Sequence, residues 1–196
     1  QMLQEAIEVA KSSEVAIIFA GSNRDYETEA SDRADLELPF AQEELIEKVL
    51  EANPNTIVVM IAGAPFDIGR IKEKSPALVW SWYNGSEGGN ALADVLLGTV
   101  NPSGKLPWTM PKRLEDSPAH ATGSFPGDST LSYEEGILVG YRWFDTKEVE
   151  PLYPFGYGLS YTTYEIKSVR PDKEILTNRD TLYIRVEVAN TGKVDG

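Results

Sequence analysis

Residues 14–20 read EVAIIFA, residues 56–62 read TIVVMIA and residues 77–83 read ALVWSWY. Each is a short apolar run, the signature of a strand buried in a parallel sheet. Between the first two, Pro39 opens a helical segment through about residue 53, with Leu45, Ile46, Val49 and Leu50 on one face. After the third, a glycine-rich turn at 85–89 leads into a helix over 90–97 that Gly98 ends. Residues 2–12 are helical in pattern, with Leu3, Ala6, Ile7 and Ala10 at helical spacing, and residues 105–110 offer a fourth strand. This alternation predicts an α/β fold: a mostly parallel sheet with helices on both faces.

The pattern changes at residue 111. Prolines, glycines and aromatics dominate through 154, which predicts a long ordered loop or hairpin. Beyond Tyr161, residues 164–169 and 182–188 are strand-like again and read as the first part of an all-β sandwich. The expected organisation is an α/β domain over 1–160 followed by the opening strands of a second module over 161–196.

Composition removes several function classes. The chain carries 18 basic against 31 acidic residues, a formal net charge of −13, which repels phosphate backbones and anionic lipid. No nucleic-acid or membrane partner is therefore expected, whereas neutral ligands such as sugars meet no penalty. Without cysteine there is no disulfide framework, thiolate nucleophile or Cys-based metal site, a usage that fits a reducing compartment and bacterial export alike. No apolar run approaches the roughly 18–20 residues of a membrane span. The chain starts within a helical pattern, shows no signal-peptide pattern, and stops just after a strand. It is expected to be a piece of something longer.

In an open parallel sheet, ligands bind outside the carboxyl ends of the strands. Three predicted loops leave such ends. The first, 21–38, holds Arg24, Asp25, Glu27, Glu29, Asp32 and Arg33; the second holds Gly63, Ala64 and Pro65; the third holds Trp82, Tyr83, Asn84 and the glycines. Carboxylates and arginines can bond sugar hydroxyls while aromatic faces stack on the ring. A glycosidase needs one carboxyl group with a raised pKa as acid and a second as nucleophile or base. The residues alone leave a second reading open, a solvated acidic loop that caps helices. The glycines at 85–89 lack the lysine and spacing of a phosphate loop and are expected to form a close-packed turn. His120 is the only histidine, so no triad or metal cluster with two histidines can form, and it is expected on a surface loop. No metal and no cofactor is expected.

Longer motifs carry a resemblance. Residues 26–39 read YETEASDRADLELP, with Gln42, Leu45 and Ile46 beyond; residues 53–59 read NPNTIVV; residues 82–98 read WYNGSEGGNALADVLLG. Residues 101–107 (NPSGKLP), 133–137 (YEEGI), 140–142 (GYR), 154–162 (PFGYGLSYT) and 189–192 (ANTG) follow. In this order the set resembles glycoside hydrolase family 3, whose first motif runs roughly E-G-x-D-R-x-x-L-x-L-P-x-x-Q-x-x-L-I. The resemblance covers nearly the whole chain, and residues 189–192 resemble the start of the family's fibronectin-type-III-like module.

The resemblance implies a retaining β-glycosidase, β-glucosidase above all, acting on a β-linked glycoside or oligosaccharide. Glu29 stands at the Glu of E-G-x-D-R and is the expected acid/base, with Ala30 where that pattern has Gly; Glu27 is the alternative. Asp32, Arg33, Trp82 and Tyr83 are the expected substrate-binding residues. The family's nucleophile is an Asp on a preceding barrel domain, which no segment here resembles, so the fragment alone is expected to be inactive. β-Xylosidase and α-arabinofuranosidase activities share the family's fold. A non-catalytic ligand-binding or interaction module is the alternative from a different class.

Overall fold

A computed structural model describes residues 1–127 and 129–196. They divide into two compact units, residues 1–86 with 106–156, and residues 87–105 with 157–196.

The first unit begins with helix α1, Met2–Ser12, which packs against helix α2, Gln42–Ala52. Strands β1 (Ala16–Gly21), β2 (Thr56–Ile61) and β3 (Ala77–Trp80) form a parallel sheet in that order, as the apolar runs predict. Register runs Ala16 to Thr56 and Gly21 to Ile61 in one pair, and Ile57 to Ala77 in the other. All three strands therefore end at the same edge. One sheet face, with Ala20, Val58 and Met60, meets Ile46 and Leu50 of α2, and Phe66, Ile68 and Ile71 complete the core. Each of these Val, Leu, Ile, Met and Phe side chains contributes about 1.5–3 kcal/mol of transfer free energy when fully buried. Ile71 belongs to a short helix, α3 (Gly69–Lys74), that the sequence pattern does not reveal.

Three sequence expectations need correction here. The run over 14–20 does not mark a strand covered on both faces: β1 lies at the sheet edge, and Ile17 and Phe19 remain 47% and 56% exposed. The helix opened by Pro39 is not continuous. Pro39 heads a short 3-10 turn, Phe40 and Ala41 adopt positive φ, and α2 starts only at Gln42. Residues 105–110 form no strand. Met110 alone bridges to Tyr153, because Pro107 and Pro111 on either side remove ladder donors.

Buried polar groups tie the elements together. Asn53, 5% exposed, donates from Nδ2 to the carbonyls of Ala10 and Ser13, both at 2.9 Å, and accepts at Oδ1 from the Asn55 amide at 2.8 Å. One side chain thus closes the carboxyl end of α1 and starts β2. Gln42 closes the opposite end of β1: its amide donates to the Gly21 carbonyl and accepts from the Gly21 N–H, each at 2.8 Å. Gly21 has φ +136, and a Cβ there would run into the Ile61 carbonyl, so only glycine fits.

Two further helices of this unit, α5 (Pro118–Ala121) and α6 (Tyr141–Thr146), interrupt the stretch expected as loop or hairpin. His120 lies in the first of these rather than on a surface loop. It is half-buried, its Nδ1 is 2.7 Å from Ser117 Oγ, and its ring meets the Phe125 ring edge-on.

The second unit contains helix α4, Gly88–Leu96, and an antiparallel pair of strands, β4 (Tyr164–Pro171) and β5 (Ile184–Asn190). Asn101 organises its core loop: Oδ1 accepts from the Tyr161 N–H at 2.7 Å and from Ser160 Oγ at 3.0 Å. The expected close packing of the glycine turn is not observed. A Cβ at Gly85 or Gly89 would meet no atom within 4 Å among the described residues.

Candidate active site

Because the strands are parallel, the loops after β1, β2 and β3 emerge side by side. The first of them, residues 22–38, contains neither helix nor strand, as expected, and one isolated bridge joins Thr28 to Ser31. That bridge marks a tight turn in which the Ser31 N–H donates to the Thr28 carbonyl at 3.3 Å. Glu29 and Ala30 are its two central residues, and Ala30 has φ 63. This is the turn position at which glycine is favoured, which gives a physical reason for the Gly of the E-G-x-D-R pattern. Glu29 is exposed on the turn, as is Asp32 just beyond it.

Both flanks of the turn are anchored. Arg33, half-buried, donates from Nη2 to the Pro65 carbonyl at 2.8 Å and stacks its guanidinium 4.3 Å from the centre of the buried Phe66 ring. On the other side, the Glu27 N–H donates to the Asn23 carbonyl at 2.8 Å, and the carboxylate turns inward. Its Oε2 accepts from the Ser22 hydroxyl, from the Tyr83 hydroxyl and, at 3.4 Å, from the Gly63 N–H. The two hydroxyl oxygens lie 2.6 Å apart. Burial alone would raise the Glu27 pKa. The bonds from Ser22, Tyr83 and Gly63, with the Arg33 charge, outweigh that and hold it below its ordinary value. Tyr83 moves the other way: desolvation, then its bond to the Glu27 carboxylate, raise its pKa.

The structure therefore brings Glu27, Tyr83 and Arg33 into one cluster and leaves Glu29 and Asp32 exposed. Trp82 sits apart from that cluster among aromatics. Its ring centroid lies 4.7 Å from Trp108 and 6.3 Å from Trp80, whose Nε1 donates to the Ala62 carbonyl at 3.1 Å. Trp82 has φ 59, and β3 ends three residues before its apolar run does. A non-glycine residue held there marks strain of the kind that gathers at functional sites.

Sequence reasoning did not find Ser22, Trp108, the Pro65 carbonyl or the need for glycine at 63. A Cβ on Gly63 would stand 2.8 Å from Tyr83 Cε2. The available signal was positional: Ser22 and Gly63 each follow a strand end. Among the described residues, no group of three or more His, Asp or Glu is placed to hold a metal ion.

The sequence pattern of the glycosyl hydrolase family 3 C-terminal domain matches residues 1–161. The chain belongs to glycoside hydrolase family 3. Family 3 relatives include the β-glucosidase BoGH3A of Bacteroides ovatus, 49% identical over 98% of this chain and 26% of the relative. Thermostable β-glucosidase B of Acetivibrio thermocellus is 42% identical over all of this chain and 26% of its own length. Among solved structures, the family 3 β-glucosidase of Bifidobacterium adolescentis superposes with a TM-score of 0.89 at 38% identity, covering 99% of this chain and 28% of that one. The Kluyveromyces marxianus β-glucosidase in complex with glucose gives 0.86 at 40% identity, covering 97% of this chain and 22% of that one. The chain spans about a quarter of the length of the curated relatives it matches.

Proposed function

We propose that this chain supplies the general acid/base, Glu29, to a retaining β-glucosidase whose Asp nucleophile stands on a barrel domain elsewhere in the full protein. The observation that carries this reading is the placement of Glu29: an exposed carboxyl group at the head of a tight turn, anchored on both flanks, at the carboxyl edge of a parallel sheet. The glucoside specificity rests on relatives that are β-glucosidases at 42–49% identity. Asp32, Arg33, Trp82 and Tyr83 line the same loops and are proposed to orient the sugar. Residues 1–160 are proposed to be the α/β domain, and 161–196, with the antiparallel β4–β5 pair, to open the fibronectin-type-III-like module.

The chemistry follows in two steps. The Asp carboxylate attacks the anomeric carbon, the bond to the aglycone oxygen breaks, and Glu29 gives that oxygen its proton. Water then attacks the same carbon, Glu29 takes a proton from it, and the bond to Asp breaks. Retention calls for the two carboxyl groups to stand about 5–5.5 Å apart, and the exposed position of Glu29 leaves it free to face a nucleophile on another domain. Glu27 suits the acid role less, because its hydrogen bonds favour the ionised form and an acid must keep its proton near working pH.

The test uses the full-length protein. A panel of aryl β-glucosides, β-xylosides and α-arabinofuranosides should show the glucosides cleaved best. Glu29→Ala should lower kcat/KM for poor leaving groups by about 10²–10⁴-fold, with little effect on activated ones. Azide should restore turnover and yield a β-glycosyl azide. A Glu29→Ala enzyme that keeps wild-type rates on poor leaving groups overturns the assignment.

A further inference from the structure

We propose that Glu27 is a positioning residue for Glu29: its carboxylate ties together the ends of all three parallel strands and thereby fixes the base of the turn that carries the acid/base. This rests on the assignment of Glu29 above and adds a role which that assignment does not require.

The geometry is specific. Glu27 Oε2 receives donors from three separate loops: the Ser22 hydroxyl just after β1, the Gly63 N–H just after β2, and the Tyr83 hydroxyl just after β3. Ser22 and Tyr83 also touch one another, so the cluster closes on itself. Glycine at 63 leaves the space that lets the Tyr83 ring approach. Only Thr28 separates Glu27 from Glu29, and Thr28 supplies the carbonyl that closes the turn. A shift at Glu27 therefore passes into Glu29 within one residue, while Arg33, fixed on Pro65 and Phe66, holds the far side. Glu27 Oε2 is taken up by these three donors and Oε1 is shut away from solvent without a partner, so the carboxylate acts through the backbone and not on the sugar.

The experiment is a double-mutant cycle in the full-length enzyme with Glu27→Gln, Glu29→Ala and both, reading kcat/KM on a poor and an activated aryl glucoside. Glu27→Gln should lower kcat/KM on the poor leaving group by about 10–100-fold, the cost of a misplaced catalytic group. It should affect the activated substrate far less, with KM nearly unchanged on both. In the Glu29→Ala background the same substitution should change either rate by less than about twofold, because residues acting through one another are not additive. Equal losses in both backgrounds, or on both substrates, would assign Glu27 a structural or independent role and overturn the inference while leaving Glu29 as acid/base. Wild-type behaviour of Glu27→Gln would overturn it too, and wild-type behaviour of Glu29→Ala would overturn both readings. If Glu27→Gln does not fold, Ser22→Ala removes one donor and leaves the carboxylate; it should show the same substrate dependence at smaller amplitude, and its absence overturns the proposal.

Discussion

The hydroxyl of Tyr83, beyond the end of β3, donates to the carboxylate of Glu27, in the loop after β1, across the strand that separates them. A bond between residues 56 positions apart joins the two outer strands over the end of the middle one.

The space at Gly63 makes that bond possible. Gly63→Ala places a methyl group 2.8 Å from the Tyr83 ring, so the ring must swing away and release Glu27. It should therefore reproduce Tyr83→Phe, each lowering stability by about 1 kcal/mol, the net contribution of one hydrogen bond. The check is the shift in the domain's unfolding transition for the two single variants and the pair. A double variant no worse than either single one supports a shared mechanism.

Glu27 also gives the domain a defined pH response. Its folded pKa lies below the ordinary 4.5, so its stabilising contribution is present above 4.5 and is lost as pH falls through the folded value. The stability difference between the parent protein and Glu27→Gln should be constant from neutral pH down to that range and then narrow. Denaturation over a pH series measures it, and a difference that widens on acidification contradicts this account.

Ala30 occupies a left-handed conformation that costs an alanine about 1–2 kcal/mol. Ala30→Gly removes that cost but adds unfolded-state entropy, so a net gain of about 0.5–1 kcal/mol is expected. Ala30→Val, branched at Cβ, should lose more than about 1 kcal/mol. Thermal unfolding of both variants reports the sign directly.

Asn53 should be the most sensitive polar residue away from the site. Asn53→Ala strips a partner from the carbonyls of Ala10 and Ser13 and from the Asn55 N–H in a nearly closed environment. A loss of about 2–4 kcal/mol is expected, more than one hydrogen bond, because the groups left behind are desolvated. Hydrogen exchange should show α1 loosening before the sheet does.

The contrast between Asn53 and Ser22 explains what a sequence can reveal. The strands of the parallel sheet were legible because burial selects unbroken apolar runs, and β2 occupies residues 56–61 of the run read at 56–62. The role proposed for Glu29 rests on its motif, since the loop around it carries no periodicity. The partners of Glu27 come from three loops far apart in the chain, and no local pattern encodes such a meeting. The false strand at 105–110 shows the reverse error: Leu106 and Trp108 alternate with other residues, yet Pro107 cannot donate to a ladder. The early end of β3 has a similar origin, because hydrophobicity continues through Trp82 while the backbone turns away at φ 59.

Trp80, Trp82 and Trp108 are three of the chain's four tryptophans, and their rings lie 4.7–6.3 Å apart. Indoles that close share excitation energy, so light absorbed by any of them is emitted according to the surroundings of the cluster as a whole. Trp82 is bonded directly to Tyr83, whose hydroxyl rests on Glu27. The sheet thus carries its own fluorophore next in sequence to a residue of the Glu27 cluster, and with Trp143 replaced its emission can be read without any added label.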